Sequence, residues 1–112
     1  MAVTKRVFLP EIERVVDATL FNNTYQAFGT PLEHPSRTLM FVNGSSVNVK
    51  ISWDGTNPAF TLLAGATVVL DETSNTVSGV PLETREGTQF YIKGAVAGAA
   101  TEEVYLSSFY AF

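Results

Sequence analysis

Val47-Asn48-Val49-Lys50-Ile51-Ser52-Trp53-Asp54 is two-periodic: Val47, Val49, Ile51 and Trp53 fall on one side, Asn48, Lys50, Ser52 and Asp54 on the other. Successive side chains of a strand point to opposite faces, so this octapeptide reads as a β-strand with one buried and one solvated face. Trp53, in register with three aliphatic residues, is expected in the core rather than on a sugar-stacking surface. Asp54-Gly55-Thr56-Asn57-Pro58 then ends the strand, since its residues favour turns and a proline cannot donate to a ladder.

The same grammar extends outward. Thr38-Leu39-Met40-Phe41-Val42 is a strand, followed by Asn43-Gly44-Ser45-Ser46. Asn-Gly accommodates the positive φ angles of a tight turn, so a hairpin is expected there. Phe60-Thr61-Leu62-Leu63 and Thr67-Val68-Val69-Leu70 read as a second hairpin about Ala64-Gly65-Ala66. A polar stretch, Asp71 to Ser78, and Gly79-Val80-Pro81-Leu82 lead to a connection ending at Gly87. Gln89 to Lys93 is a further strand, Gly94 to Ala100 a flexible run of small residues, and Val104 to Phe112 the last strand. All eight glycines are expected in turns or connections. Short strands at roughly ten-residue spacing indicate an all-β fold, a single antiparallel β-sandwich or jelly roll, and not βαβ units.

The N-terminal part reads differently. Residues 1–20 are expected to form an N-terminal arm and residues 21–112 the sandwich, with Thr24 to Phe28 as its first strand. Pro10 is suited to open a helix through Glu11 to Asp17, with Glu11 and Glu13 at its positive end, although the β-branched residues there oppose it. The arm is expected to be extended or partly helical and to order against a partner. Met1 to Glu11 reads as neither a signal peptide nor a membrane span, because acids and proline interrupt the apolar stretch.

Composition narrows the chemistry. With 112 residues the chain supports one core, and 46 % hydrophobic against 16 % charged residues argues for a folded domain. A net charge of −4 and seven scattered basic residues disfavour nucleic acid. The absence of cysteine excludes disulfides, thiolate chemistry and cysteine-built zinc sites. His34, the only histidine, sits in the proline-bracketed Pro31-Leu32-Glu33-His34-Pro35 and reads as a loop residue rather than a catalytic base. Glu102-Glu103, Asp71-Glu72 and Glu83/Glu86 are candidate carboxylate pairs, but adjacent residues of a strand diverge. Asp54 to Asn57 offers oxygen ligands, yet calcium takes six to eight, and the same residues make Asx turns. Gly94 to Gly98 lacks a P-loop lysine. No catalytic, cofactor-binding or metal-ligating residue is assigned, and no cofactor is expected.

Several strands instead carry apolar residues on both faces. Leu39 and Phe41 oppose Met40 and Val42, and Val68-Val69-Leu70 repeats the pattern. If Phe90 and Ile92 point inward, Tyr91 points outward; in the last strand, Tyr105 and Phe109 lie opposite Val104 and Leu106. A domain this small has few loops to cover a second face, so an interface with protein is expected, where Tyr and Phe are enriched. The candidate interface residues are Val7, Phe8, Leu9, Tyr91, Tyr105 and Phe109.

One stretch also resembles a known family. Ile51-Ser52-Trp53-Asp54-Gly55-Thr56-Asn57, Phe60-Thr61-Leu62-Leu63-Ala64-Gly65 and Val68-Val69-Leu70-Asp71 are similar to a recurring phage virion pattern. In that pattern an S-x-D-G turn leads to an F-x-L-x-A-G segment and an L-D strand end. Gly87 to Gly94 and Val104 to Ala111 close it, so the resemblance spans residues 38–111. With its length, acidity and N-terminal arm, the chain resembles the small capsid decoration proteins that staple the shells of epsilon-fifteen-like Salmonella podophages. The resemblance implies a cement subunit made in the host cytoplasm and placed on the outer capsid surface of the virion. It implies the major capsid protein and a second copy, as a dimer, as partners, with neither nucleic acid nor membrane. A head–tail connector or tail adaptor is the alternative within that class, and a carbohydrate-binding β-sandwich module using Trp53 and the terminal aromatics is the alternative outside it.

Overall fold

The computed structural model describes residues 8–72, 76–77, 80–81 and 83–111. Eleven strands occur among them: β1 Phe8–Pro10, β2 Arg14–Asp17, β3 Gln26–Ala27, β4 Thr38–Asn43, β5 Val49–Ser52, β6 Phe60–Leu62, β7 Thr67–Asp71, β8 Thr76–Val77, β9 Val80–Pro81, β10 Tyr91–Gly94 and β11 Glu103–Ala111. A five-stranded antiparallel sheet runs β1-β11-β4-β7, with β2 also on β11, and a four-stranded sheet runs β3-β10-β5-β6. The strands β8 and β9 form a separate two-stranded ribbon. The fold is an all-β sandwich of two packed antiparallel sheets.

The core follows from alternation. Leu39, Phe41 and Asn43 of β4, and Val104, Leu106 and Ser108 of β11, are buried, while the intervening residues are only half-buried. Val49 and Ile51 of β5, Leu62 of β6 and Ile92 of β10 face them from the other sheet. Phe41 is the central side chain: its ring meets those of Phe60 at 5.3 Å, Phe90 at 5.5 Å and Phe28 at 6.2 Å, all edge-to-face. Edge-to-face contacts place one ring's positive edge on another's negative face.

Both expected hairpins are corrected. The strands β4 and β5 lie in different sheets, as do β6 and β7, so Asn43–Ser46 and Leu63–Ala66 carry the chain across the sandwich. Asn43 serves the crossing through its side chain: Nδ2 donates to Val47 O at 2.8 Å and Leu62 O at 3.1 Å, while Oδ1 accepts from Ser45 N at 2.9 Å. Glycine follows because a Cβ at position 44 would stand 2.7 Å from the Glu103 carbonyl. A hairpin instead joins β5 to β6 around the Asp54 turn, pairing Ile51 with Phe60 and Val49 with Leu62.

Trp53 is a second correction. It retains the parity of Val49 and Ile51, but β5 ends at Ser52, so the ring lies beyond the last rung and is 38 % exposed. It leans edge-on against Phe90 at 4.8 Å and Phe60 at 6.1 Å. A fully buried aromatic costs about 3–5 kcal/mol on truncation to alanine, so Trp53→Ala is expected to cost about 1–2 kcal/mol. Urea denaturation of the variant checks this, and a loss as large as that of a fully buried ring would restore the core assignment.

Residues 8–20 do not stand apart as an arm; residues 1–7 lie outside the described residues. The strands β1 and β2 run along one edge of β11, pairing Leu9 with Tyr110 and Val16 with Val104. The helix expected from Pro10 through Asp17 does not form: Arg14–Asp17 is strand, consistent with the β-branched Val15-Val16, residues 11–13 are irregular, and only Ala18–Leu20 makes a 3-10 turn. Asp17 caps that turn, its Oδ1 accepting from Thr19 N at 2.9 Å. Gly94 is likewise inside a strand: the Phe21 ring occupies the space beside it, 2.7 Å from where a Cβ would stand.

Candidate functional site

The five-stranded sheet buries one face and leaves the other half-exposed, with apolar side chains set among Thr38, Thr67, Ser107 and Asp71. Across β2, β11, β4 and β7, Val15, Tyr105, Val42 and Thr67 form one outward row. Ser107, Met40 and Val69 form the next, and Pro10, Phe109, Thr38 and Asp71 the third. Val15 is 43 % and Val69 53 % exposed, while Met40, Val42, Tyr105 and Phe109 are half-buried. A solvated sheet face ordinarily carries a polar row, as Lys50 does on the other sheet. The Tyr105 hydroxyl donates to Glu103 Oε1 at 3.1 Å, and this hydrogen bond, with some burial, raises its pKa. The ring is thus tethered at its polar tip, with its apolar body on the sheet face.

The expected interface residues do not form one patch. Tyr105 and Phe109 share the outer face of the five-stranded sheet, and Val15, Met40, Val42 and Val69 join them. Tyr91 is on the four-stranded sheet, where its ring lies 3.3 Å from the Cβ position of Gly55, whose φ of +78° suits glycine. Leu9 is half-buried beside Tyr110, on the opposite parity of β11 from Phe109. Phe8 is placed by its backbone opposite Ala111, and Val7 lies outside the described residues. Two-sided apolar patterning marks Met40, Val42 and Val69 in the sequence; Val15 carries no such mark, because β2 pairs with β11 only through the tertiary fold.

Polar residues weighed as chemistry have structural partners. Asp54 accepts from Asn57 N and Thr56 N, both at 2.8 Å, and from Ser52 Oγ at 2.9 Å, so these bonds hold its carboxyl far below the usual range. This is an Asx-type turn, with the Ser52 hydroxyl buried inside it. Glu102 bonds Ala99 N at 2.8 Å and the Ser46 hydroxyl at 2.9 Å, which lowers its pKa and ties two loops together. Glu103 instead meets Tyr105, so the adjacent pair diverges. Among the described residues no three His, Asp or Glu side chains gather as a metal-ligand set.

His34 lies in the 31–35 loop, as expected, and packs against neighbours there. Its ring stacks on Tyr110 at 3.7 Å, and its Nδ1 lies 3.5 Å from Glu11 Oε2. Glu11 belongs to a buried knot with Arg14: Nη2 of Arg14 reaches Glu11 Oε1 at 2.9 Å and Pro31 O at 2.8 Å, and Nε reaches Thr30 O at 2.6 Å. The backbone N–H groups of Glu33 and His34 also donate to Glu11. Burial pushes the Glu11 carboxyl up, but the Glu33 N–H, Arg14 and the His34 N–H together bring it below the ordinary value of 4.5. The knot fastens the β1–β2 edge to the 30–34 loop. No family model matches the chain, and no curated protein matches it in sequence.

Proposed function

We propose that this protein is a non-enzymatic structural subunit that binds a protein partner through the outer face of its five-stranded sheet. More narrowly, it is a decoration protein that clamps neighbouring major capsid subunits on the outside of a short-tailed phage virion, acting as a dimer. The observation that carries the binding reading is the outward row of β11: Tyr105 and Phe109 lie among Val15, Val42, Met40 and Val69 on a strand whose other face is already core. Contiguous apolar surface of this kind marks interaction sites, and aromatic residues supply most of the energy at interface hot spots. The virion assignment is supported by the resemblance over residues 38–111. Many copies, each touching two shell subunits, would gain avidity without a tight single contact. A neck or tail adaptor would use the same face. The exposed Trp53 edge favours, as a second reading, a carbohydrate-binding module.

The test is Tyr105→Thr with Phe109→Thr, which keeps strand-forming side chains while removing both rings. The double variant is expected to fold, yet to lose at least about 2 kcal/mol of attachment, read by light scattering for self-association and co-sedimentation with undecorated capsids. A folded variant that behaves as wild type in both assays would show that this face is not the contact surface. Glycan-array binding that Trp53→Ala abolishes would turn the reading to carbohydrate.

A further inference from the structure

The solvated face of the four-stranded sheet carries an unusual pairing of like charges. Lys50 on β5 and Lys93 on β10 are register partners, directly across from each other. Like charges so placed oppose sheet formation. Here they do so in a chain with net charge −4, where carboxylates outnumber cations. Among the described residues neither lysine has a carboxylate within ion-pair distance, unlike Arg14, which pairs with Glu11.

Both lysines line a cleft of about 260 Å³ together with Asn23, Asn48, Thr61 and Ala95. Its polar atoms are biased toward donation. Lys50 Nζ donates to Thr61 Oγ1 at 3.0 Å, which leaves that hydroxyl's own proton and two ammonium protons to give. Asn48 Oδ1 already accepts from Ala64 N at 2.9 Å, which leaves both Nδ2 protons to donate against one oxygen lone pair. Lys93 Nζ is held over the Tyr25 ring, 4.7 Å from its centroid, which steadies the cation without neutralising it. Two uncompensated cations, an amide donor and a hydroxyl donor around one concavity match an acceptor-rich anion, and the small volume suits a small one.

We propose that this cleft binds a small oxyanion, a phosphate or carboxylate group, between Lys50 and Lys93. The site is independent of the apolar face on the other sheet. The ligand relieves the cross-strand repulsion, so binding and stability are coupled.

The experiment is a ¹⁵N–¹H NMR titration of the whole chain with inorganic phosphate and, separately, citrate, at fixed ionic strength, on wild type and Lys50→Gln/Lys93→Gln. Saturable shifts confined to residues about 48–50, 61 and 93–95, weakened at least about tenfold in the double variant, are expected for one or both probes. Saturation by phosphate alone, citrate alone or both identifies the preferred oxyanion. Linear, unsaturating drift with both probes, or equal saturation in the double variant, would overturn the site. A melting curve separates this from damage: relieved of the repulsion, the double variant should be at least as stable as wild type without anion, and should gain nothing when anion is added.

Discussion

Phe41→Ala is expected to lower the unfolding free energy by about 3–5 kcal/mol, the loss seen when a large buried aromatic is truncated. The ring is fully buried and is the one through which the two sheets meet, edge-to-face with Phe28, Phe60 and Phe90. Those neighbours come from the other sheet and from loops packed on it, so collapse into the cavity would require the sheets to approach each other. Paired strands move as units, which makes such relaxation costly. Because small domains are stable by about 5–15 kcal/mol, this one change approaches the limit of folding. Met40, the preceding residue, points outward and is half-buried, so Met40→Ala should cost far less. Urea unfolding of both variants, compared at unchanged m-value, reads the difference. Equal losses would mean that the inward and outward faces of β4 are wrongly assigned.

Arg14→Met is the second large effect, and its pH dependence carries a sign. The guanidinium is buried and bonds Glu11, Thr30 O and Pro31 O, so its removal leaves a buried carboxylate without its cation and carbonyls without a donor. Breaking a buried pair from one side costs about 3–5 kcal/mol. Glu11 in the wild type is held below its ordinary value of 4.5, so the folded protein resists protonation more than the unfolded chain does. Its contribution is therefore fully present above the ordinary carboxylate range and is lost as pH falls through the lower folded value. Without Arg14 the burial that pushes Glu11 upward is less opposed, and the carboxyl titrates at higher pH. The deficit of Arg14→Met should thus be largest near neutrality and shrink in acid. Adding Glu11→Gln should recover part of it, and a double-mutant cycle measures the coupling. A deficit that does not vary with pH would mean that the ion pair contributes through packing alone.

Much of this architecture can be read from residue patterning, because burial imposes a period of two wherever one face is core. Val49 to Ile51, Leu39 to Phe41 and Val104 to Leu106 are buried and solvated as their alternation requires. What patterning does not specify is partnership. Asn43-Gly44 and Ala64-Gly65 have turn chemistry, but a turn constrains φ and ψ, whereas a hairpin and a crossing between sheets differ in where the next strand goes. Trp53 shows the limit of parity: the pattern says which way a side chain points, not whether another strand still lies opposite it. The Arg14 knot was invisible for a different reason. Its acceptors at Thr30 and Pro31 are brought in by tertiary structure, and a single arginine beside Val15-Val16 carries no mark of burial. The apolar outer face was half legible, through Met40, Val42 and Tyr105 on the far side of strands with full core faces.

The proposal that this chain is a shell component is tested most directly by quantitative gel densitometry of purified virions of a phage proposed to encode it. Its band is ratioed to that of the major capsid protein. A decoration subunit predicts a stoichiometry that tracks the capsid lattice, with copies in fixed proportion to major capsid subunits, and selective loss of the band when the Tyr105→Thr/Phe109→Thr variant replaces the wild type. A band at the level of a single neck or tail ring, or none in intact virions, would contradict it.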